Sequence, residues 1–252
     1  MQPAEVKATV KREYGAIAQL TDERGQAWQR DHICKPIFDP IADVYPQLDG
    51  YEDEANLGLG CDQPTRYLHL KAGERVVDLG CAAGVDSFIA RRLVGDDGWI
   101  TGIDLTPELL ERARGIAARR RLTNMTFICA DIEQLPIPDA TQDAAMSNGV
   151  FSLITDKAKA FAEIHRILRS GGRFCICDLV RRSDIPEAIL ADTLAFTGCL
   201  NGIYELDAYE AYARAAGFEV VTAAALRPVA TPFAADGSPL VLWAAALTGL
   251  KK

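Results

Sequence analysis

The sequence lacks a long apolar segment. Apolar residues make up 49% of the 252 positions, but none of their runs approaches the roughly 18 consecutive residues that a membrane-spanning helix requires. The first residues also lack the basic and apolar regions of a signal peptide. These absences predict a protein without a membrane partner that stays in the cytoplasm.

A disulfide framework and a basic surface are also missing. The seven cysteines are odd in number and spread over a mid-sized chain, which predicts reduced thiols and again a cytoplasmic location. The formal net charge is −8, whereas nucleic-acid binding requires a basic surface or stripe. The basic run at 119–121 ends a predicted helix and is interpreted as a solvated face. No nucleic-acid partner is therefore expected.

Strands alternate with helices along most of the chain, and no internal repeat or interdomain linker interrupts them. Short apolar runs bounded by turn residues predict strands at 75–79, 99–103, 125–129, 144–147 and 173–177, and a closing hairpin at 218–223 and 240–246. One helix is expected to begin at Pro107 with Thr106 as its cap. Another, at about 156–168, is expected to stop at 170–172. The alternation predicts an α/β fold with a doubly wound, mostly parallel sheet and helices on both faces.

A glycine turn follows the first predicted strand, at the edge where open α/β sheets bind their ligands. It reads Asp78-Leu79-Gly80-Cys81-Ala82-Ala83-Gly84. Gly80 and Gly84 allow the backbone to approach a ligand closely, and the spacing does not match the dinucleotide fingerprint. Asp78 suits a ligand that carries an ammonium group.

An acidic residue also follows each of the next two predicted strands. Asp104 is placed to accept hydrogen bonds from both hydroxyls of a ribose, with Leu105 packing under an adenine ring. Asp131, followed by Ile132, is placed to hold the amino group of the adenine. Each acid alone is also explained as a turn or capping residue. Together with the glycine turn, they predict a cofactor that contains adenosine.

These segments resemble the class I S-adenosylmethionine-dependent methyltransferases over roughly residues 68–246. The resemblance lies in the motifs at 78–84, 102–104, 130–132 and 168–173, with Ala82 where the family often has glycine. It implies S-adenosylmethionine as the cofactor and a sheet of seven strands with the last one antiparallel. It assigns cofactor contacts to Asp78, Gly80, Cys81, Ala82, Gly84, Asp104, Leu105, Asp131, Ile132 and Asn148.

Three further segments, at 56–65, 146–153 and 197–203, resemble the arsenite methyltransferases. In that family one cysteine from each segment gathers the arsenic, and the matching positions here are Cys61, Gly149 and Cys199. Trivalent arsenic is a soft acceptor that favours thiolate ligands, which makes Cys61 and Cys199 candidate acceptor ligands and Gly149 the departure from the pattern. Both cysteines are also explained as small buried apolar residues. No resident metal ion is expected.

The amino-terminal segment has helical spacing over residues 6–15 and ends in Tyr14 and Gly15. The resemblance places such a segment as a lid over the cofactor, with Tyr14 in contact with it, and the alternative is an ordinary amphipathic helix. The expected organisation is a helical lid or extension at 1–66 and a methyltransferase domain at 67–252. A helical insertion at about 186–216 is expected to form a roof over the substrate.

The predicted function is methylation of a small molecule, with a soft acceptor of the arsenite type as the first candidate. Catalysis would then depend on proximity and orientation rather than on a general base. One alternative is an O-, N- or C-methyltransferase for an organic metabolite or natural product, with His32, His69 or Tyr14 as a candidate base. Another alternative is a cofactor-binding protein without catalysis.

Overall fold

The computed structural model describes residues 2–19, 44–182, 184–185, 202–231 and 240–252. The strands within them are β1 (Arg75–Leu79), β2 (Trp99–Asp104), β3 (Met125–Cys129), β4 (Gln142–Asn148), β5 (Leu168–Val180), β6 (Phe218–Thr231) and β7 (Leu240–Lys251). They pair into one sheet in the order β3-β2-β1-β4-β5-β7-β6. Strands β1 to β5 run parallel, and β7 lies antiparallel to both β5 and β6. The doubly wound, mostly parallel sheet is confirmed.

The helices pack on both faces of this sheet. They are α1 (Pro3–Gln19), α2 (Pro64–Leu68), α3 (Val85–Val94), α4 (Pro107–Arg119), α5 (Lys157–Ile167) and α6 (Leu206–Ala215), with short 3-10 turns at Tyr45–Gln47, Asp53–Ala55 and Phe151–Leu153. One apolar cluster joins Ile17 of α1 and Leu109 of α4. A second cluster joins Phe161 of α5 to Phe174 and Phe218 of the sheet. Because both faces are covered, the central strands are apolar on both sides rather than alternating.

Three local expectations need correction. Strand β5 begins at Leu168 and not at the predicted residue 173. The glycines at 171–172, which were expected to separate the helix from the strand, lie within the strand, where Gly171 has a φ of +76° and the pairing with Gln142 is irregular. The closing hairpin is longer than predicted at both strands. Helix α4 begins at Pro107, but the Thr106 side chain makes no capping hydrogen bond and bonds Asp104 instead.

The expected insertion is described only in part. Helix α6 occupies its end, while residues 186–201 lie outside the described part of the chain. In the part that the structure describes, no helix is both long enough and apolar enough to cross a membrane.

Candidate functional site

A cavity of about 990 Å³, including open space at its mouth, lies at the carboxyl ends of β1 to β4. Helix α1, residues 55–60, residues 149–154 and the first turns of the helices at Val85–Val94 and Pro107–Arg119 supply most of the remaining walls. The volume is at the upper end of the roughly 300 to 1,000 Å³ typical of small-molecule sites. Parallel strands deliver their carboxyl ends to one edge, which explains why residues distant in sequence meet here.

The glycine turn forms the floor of the cavity through Gly80, Cys81 and Ala82. The backbone N–H groups of Gly80 and Cys81 both donate to the Ile103 carbonyl, 2.7 and 2.9 Å away, and this fixes the turn against β2. Gly80 has a φ of +76°, and a Cβ atom there would collide with Val150. Glycine is therefore required at this position by conformation and by space.

Gly84 does not line the cavity, although it was expected to contact the cofactor. It precedes α3 with a φ of +94°, and a Cβ atom there would lie 3.1 Å from the Phe88 ring. Its position serves the turn into α3 and the packing beneath it.

Asp104 presents its carboxylate to the cavity beside Leu105. Its Oδ2 accepts from the Ala82 N–H at 2.9 Å and its Oδ1 from the Thr106 N–H at 2.8 Å. Burial raises the pKa of Asp104 above its ordinary value, and these backbone hydrogen bonds oppose the rise. Each oxygen keeps lone-pair capacity, so two adjacent hydroxyl groups of a ligand find acceptors here.

Asp131 and Ile132 also line the cavity, at the end of β3. Lys7 of α1 donates to Asp131 Oδ2 at 2.7 Å and to Glu133 Oε2 at 2.5 Å, and both Lys7 and Glu133 are wall residues. Burial alone would raise the pKa of Glu133, but its hydrogen bonds with Lys7 and Thr155 bring it below the ordinary value. The ion pair ties α1 to the β3 side of the site.

Asp78 does not reach the cavity wall, contrary to the expectation that it faces an ammonium group. It is 2% exposed and accepts a 2.5 Å hydrogen bond from the Ser87 hydroxyl of α3. Burial, followed by the nearby Asp86 carboxylate, raises the pKa of Asp78 well above its ordinary value. Its side chain points from β1 into the packing against α3 instead of out of the strand end.

Asn148 lines the cavity at the end of β4 and joins it to the segment before α2. Its Oδ1 accepts from the N–H groups of Cys61 and Asp62, at 2.8 and 3.3 Å. Its Nδ2 donates to Asp86 Oδ2 and to the Tyr45 hydroxyl, both at 2.9 Å. The amide therefore fixes residues 61–62 and the carboxylate of Asp86 at the same time.

Gly149 and Cys61 lie together, as the narrower resemblance implies. Gly149 lines the cavity, and a Cβ atom on it would lie 3.5 Å from Cys61 Sγ and 2.8 Å from the Leu59 carbonyl oxygen. Cys61 is 1% exposed, and Arg227 donates to its carbonyl at 2.5 Å. Cys199 lies outside the described residues.

The three candidate bases are placed differently. Tyr14 lines the cavity from α1. His69 is exposed in a left-handed conformation at the end of α2, just before β1, and is not a wall residue. It therefore sits at the opposite end of β1 from the site, and the structure does not bring His69 to the cavity. His32 lies outside the described residues.

Sequence patterns did not single out Lys7, Asp86 or Glu133. Asp86 falls in the first turn of α3, where an acid is readily attributed to the helix dipole. Glu133 follows the 130–132 motif by one residue, and Lys7 belongs to the helix that was expected to cover the site. Within the described ranges, no group of three or more histidine, cysteine or acidic side chains is arranged to hold a metal ion.

Comparisons with known proteins show which family the chain resembles. A family model described as a methyltransferase domain matches residues 70–217. An arsenite methyltransferase of Halobacterium salinarum is 38% identical over 169 residues, which cover 67% of this chain and 43% of that protein. A 27-O-demethylrifamycin SV methyltransferase of Amycolatopsis mediterranei is 29% identical, with 72% of each chain matched.

A solved structure is also similar. An arsenic(III) S-adenosylmethionine methyltransferase from Chlamydomonas reinhardtii superposes with a TM-score of 0.62 and 30% identity, covering 77% of this chain and 67% of that chain. The present chain spans less than half the length of the Halobacterium relative.

Proposed function

Because the chain belongs to the methyltransferase domain family, we propose that it transfers a methyl group from S-adenosylmethionine to a small, soft acceptor of the arsenite type. The observation that carries the proposal is the order of groups along one sheet edge. Asp131 follows β3, Asp104 ends β2, the glycine turn follows β1 and Asn148 ends β4, and all of these segments line one cavity. In this proposal the adenine of the cofactor lies at Asp131, the ribose at Asp104, and the amino-acid tail between the glycine turn and Asn148.

The residues present fit the cofactor chemically. Gly80 lines the cavity without a side chain, and Asp104 offers acceptors for two neighbouring hydroxyl groups. Among the described residues, the cavity wall carries four acidic side chains and one cationic side chain, Lys7. The acids are Asp86, Asp104, Asp131 and Glu133. A cavity of this charge favours a ligand that carries positive charge.

The bound cofactor supplies an activated methyl group on a sulfonium sulfur. The chain holds the nucleoside through the turn and Asp104, and α1 covers it with Val10 and Tyr14. Covering the cavity excludes water and fixes the orientation of the acceptor, which are the contributions expected of the protein in this reaction. An arsenic lone pair needs no general base.

Cys61 is the described thiol that supports the soft acceptor. Its thiol is buried and does not line the cavity, but it lies next to Gly149, which does. The Cys61 N–H donates to the Asn148 side chain, which holds this segment in place. Cys199 completes the pair in this proposal. The proposal also includes a small-molecule acceptor, a cytoplasmic location and no nucleic-acid partner, since the chain carries a formal charge of −8.

The test begins with binding of S-adenosylmethionine and S-adenosylhomocysteine by calorimetry. Methyl-labelled cofactor is then incubated with arsenite plus a small thiol, and in parallel with a panel of phenols, amines and carbon acids. We expect label in an arsenic product, with less of it for Cys61→Ser.

Absence of cofactor binding contradicts the proposal as a whole. Binding with label only in an organic product supports the organic-acceptor alternative. Binding without transfer to any acceptor supports the non-catalytic alternative.

A further inference from the structure

Asp86 is a buried carboxylate on the cavity wall without a cationic partner among the described residues. It is 6% exposed and stands in the first turn of α3. Tyr45 donates to its Oδ1 and Asn148 to its Oδ2, both at 2.9 Å. Both donors are neutral, and none of the described lysine, arginine or histidine side chains forms a salt bridge with it. Burial of a carboxylate is costly unless a positive charge compensates it.

The surroundings of Asp86 add negative charge rather than offset it. Asp62 and Asp78 both face it and disfavour its ionised form. Burial is the largest cause, and it raises the pKa of Asp86 to about 6 although the hydrogen bonds from Asn148 and Tyr45 act against the rise. At neutral pH the group is therefore mostly ionised and lacks a counter-charge.

Lys7 cannot serve as that counter-charge. It lies at the β3 side of the cavity, where it is engaged with Asp131 and Glu133. Asp86 contacts Asn148 at the end of β4, which is three strands away in the order β3-β2-β1-β4. Neighbouring strands lie roughly 4.8 Å apart, so the two groups stand at opposite ends of the site.

The position along the edge identifies the part of the ligand that meets Asp86. If adenine lies at β3 and ribose at β2, the amino-acid tail extends past β1 toward β4. Its α-ammonium group is then the cation nearest to Asp86.

We propose that Asp86, and not Asp78, binds the α-ammonium group of the cofactor, with Tyr45 and Asn148 positioning the carboxylate. This inference rests on the proposed function. The ammonium offers N–H donors to a carboxylate, whereas a sulfonium offers none. A carboxylate paired with the sulfonium would also stabilise a charge that disappears during transfer and would oppose the reaction. Asp86 is therefore assigned to binding.

The test compares three ligands that differ in the relevant charges. Of the two cationic groups, S-adenosylmethionine carries both the ammonium and the sulfonium, S-adenosylhomocysteine carries the ammonium alone, and 5′-methylthioadenosine carries neither. The first two ligands also share the α-carboxylate. Their affinities are measured by calorimetry for the natural protein, for Asp86→Asn and for Asp78→Asn. Asparagine keeps the size of aspartate and removes the charge.

We expect Asp86→Asn to weaken both amino-acid-bearing ligands by about ten- to hundredfold, as for loss of a charge-assisted hydrogen bond. The affinity for 5′-methylthioadenosine should stay within about twofold. Asp78→Asn should change all three affinities by a similar factor, because Asp78 acts only through the turn. This pattern separates a contact with the tail from a general loosening of the site.

Equal losses for S-adenosylhomocysteine and 5′-methylthioadenosine in Asp86→Asn would overturn the proposal. A loss confined to S-adenosylmethionine would assign Asp86 to the sulfonium and also overturn it. If the natural protein binds none of the three, the proposed function fails first, and the two failures are thereby distinguished.

A second measurement covers the case in which Asp86→Asn does not fold. In the natural protein, the ratio of S-adenosylhomocysteine to 5′-methylthioadenosine affinity should fall severalfold as the pH decreases from 7.5 to 5, since Asp86 becomes protonated near pH 6. Dividing the two affinities cancels the titration of groups that act on the shared nucleoside, Asp104 among them. A ratio that does not change with pH would contradict the ammonium contact.

Discussion

Gly149 combines a backbone requirement with a chemical departure from the arsenite pattern. Its φ of +74° favours glycine, and a Cβ atom would lie 2.8 Å from the Leu59 carbonyl oxygen. The same Cβ would point toward Cys61 Sγ, 3.5 Å away. Any side chain at position 149 therefore costs stability. A cysteine side chain would in addition bring a second thiol next to that of Cys61. The Leu59 carbonyl also limits the space that the missing side chain leaves for an organic acceptor.

We predict that Gly149→Cys increases arsenite methylation relative to Gly149→Ala. In both variants the left-handed backbone lowers the free energy of unfolding by about 1 to 2 kcal/mol. The close contact with the Leu59 carbonyl lowers it further in both. Only cysteine adds a soft ligand. Arsenic products are measured by chromatography and mass spectrometry, and urea unfolding reports the shared stability loss.

The alanine variant is the matched control, because it has the same strain without the thiol. Equal activity in the two variants would show that a thiol at this position does not contribute. Robust methylation by the natural protein that is lost in Cys61→Ser and Cys199→Ser would show that two thiols suffice.

Asp104 is the residue whose predicted role the geometry supports most directly. We predict that Asp104→Ala weakens S-adenosylhomocysteine binding by about 1 to 3 kcal/mol, since two ligand hydroxyls lose their acceptors. Asp97→Ala is the control, as Asp97 is exposed in the turn before β2. Unchanged affinity in the Asp104 variant would remove the ribose assignment.

Helix α1 is the element that closes the cavity in the described structure. It contributes Lys7, Val10 and Tyr14 to the wall, and its Gly15 packs against Glu108 of α4. Hydrogen bonds from Lys7 join the helix to Asp131 and Glu133. We propose on this basis that α1 acts as a lid, with the ion pair as its latch.

We predict that Lys7→Met accelerates S-adenosylhomocysteine dissociation by about three- to tenfold, a moderate factor because the pair is partly exposed. Amide exchange along α1 should also become faster. Lys11→Met is the matched control, since Lys11 lies one turn further on the same helix and is exposed. If both variants behave alike, the latch is contradicted.

The alternation of apolar runs and turns was sufficient to predict β1 to β4 and helices α4 and α5 closely. Strand ends were less predictable where a bulge intervenes, as opposite Gln142, because registry with a neighbouring strand is not encoded locally. The length of the β6–β7 hairpin is likewise a product of pairing rather than of propensity.

Site residues were predictable where a motif follows a strand, as for Gly80 and Asp104. They were not predictable where the role of a residue depends on which way its side chain points, as for Asp78 and Asp86. The two acids stand eight residues apart on β1 and α3, and only the packing of helix on sheet turns one inward and the other to the cavity wall.

For the whole molecule, buried acids set the pH dependence of stability without ligand. Burial raises the pKa values of Asp86 and Asp178 to about 6, whereas the unfolded value is about 3.9. Between these values the folded state binds more protons than the unfolded state. The stability that these two acids contribute is therefore complete below pH 4 and is lost as the pH rises through 6.

Other acids act in the opposite direction at lower pH. Glu74, Glu133 and Glu163 have pKa values below their ordinary value, because hydrogen bonds and ion pairs with Arg173, Lys7 and Arg166 outweigh burial. Their contribution is present above about pH 4.5 and is lost on acidification. The two opposing trends place maximal stability of the ligand-free protein between about pH 4 and pH 4.5, with a decline from there to about pH 7.

We therefore predict that the free energy of unfolding in urea is lower at pH 7.5 than at pH 5. Each of Asp86 and Asp178 accounts for about 1.4 kcal/mol of the difference, because pH 5 lies about one unit below their folded pKa of about 6. Asp178→Asn should reduce the difference through a group that does not line the cavity. Saturating S-adenosylhomocysteine should remove the part due to Asp86, because an ammonium at that carboxylate lowers its pKa, whereas 5′-methylthioadenosine should leave that part in place. A difference that neither substitution nor ligand alters would show that these carboxylates do not control stability in this range.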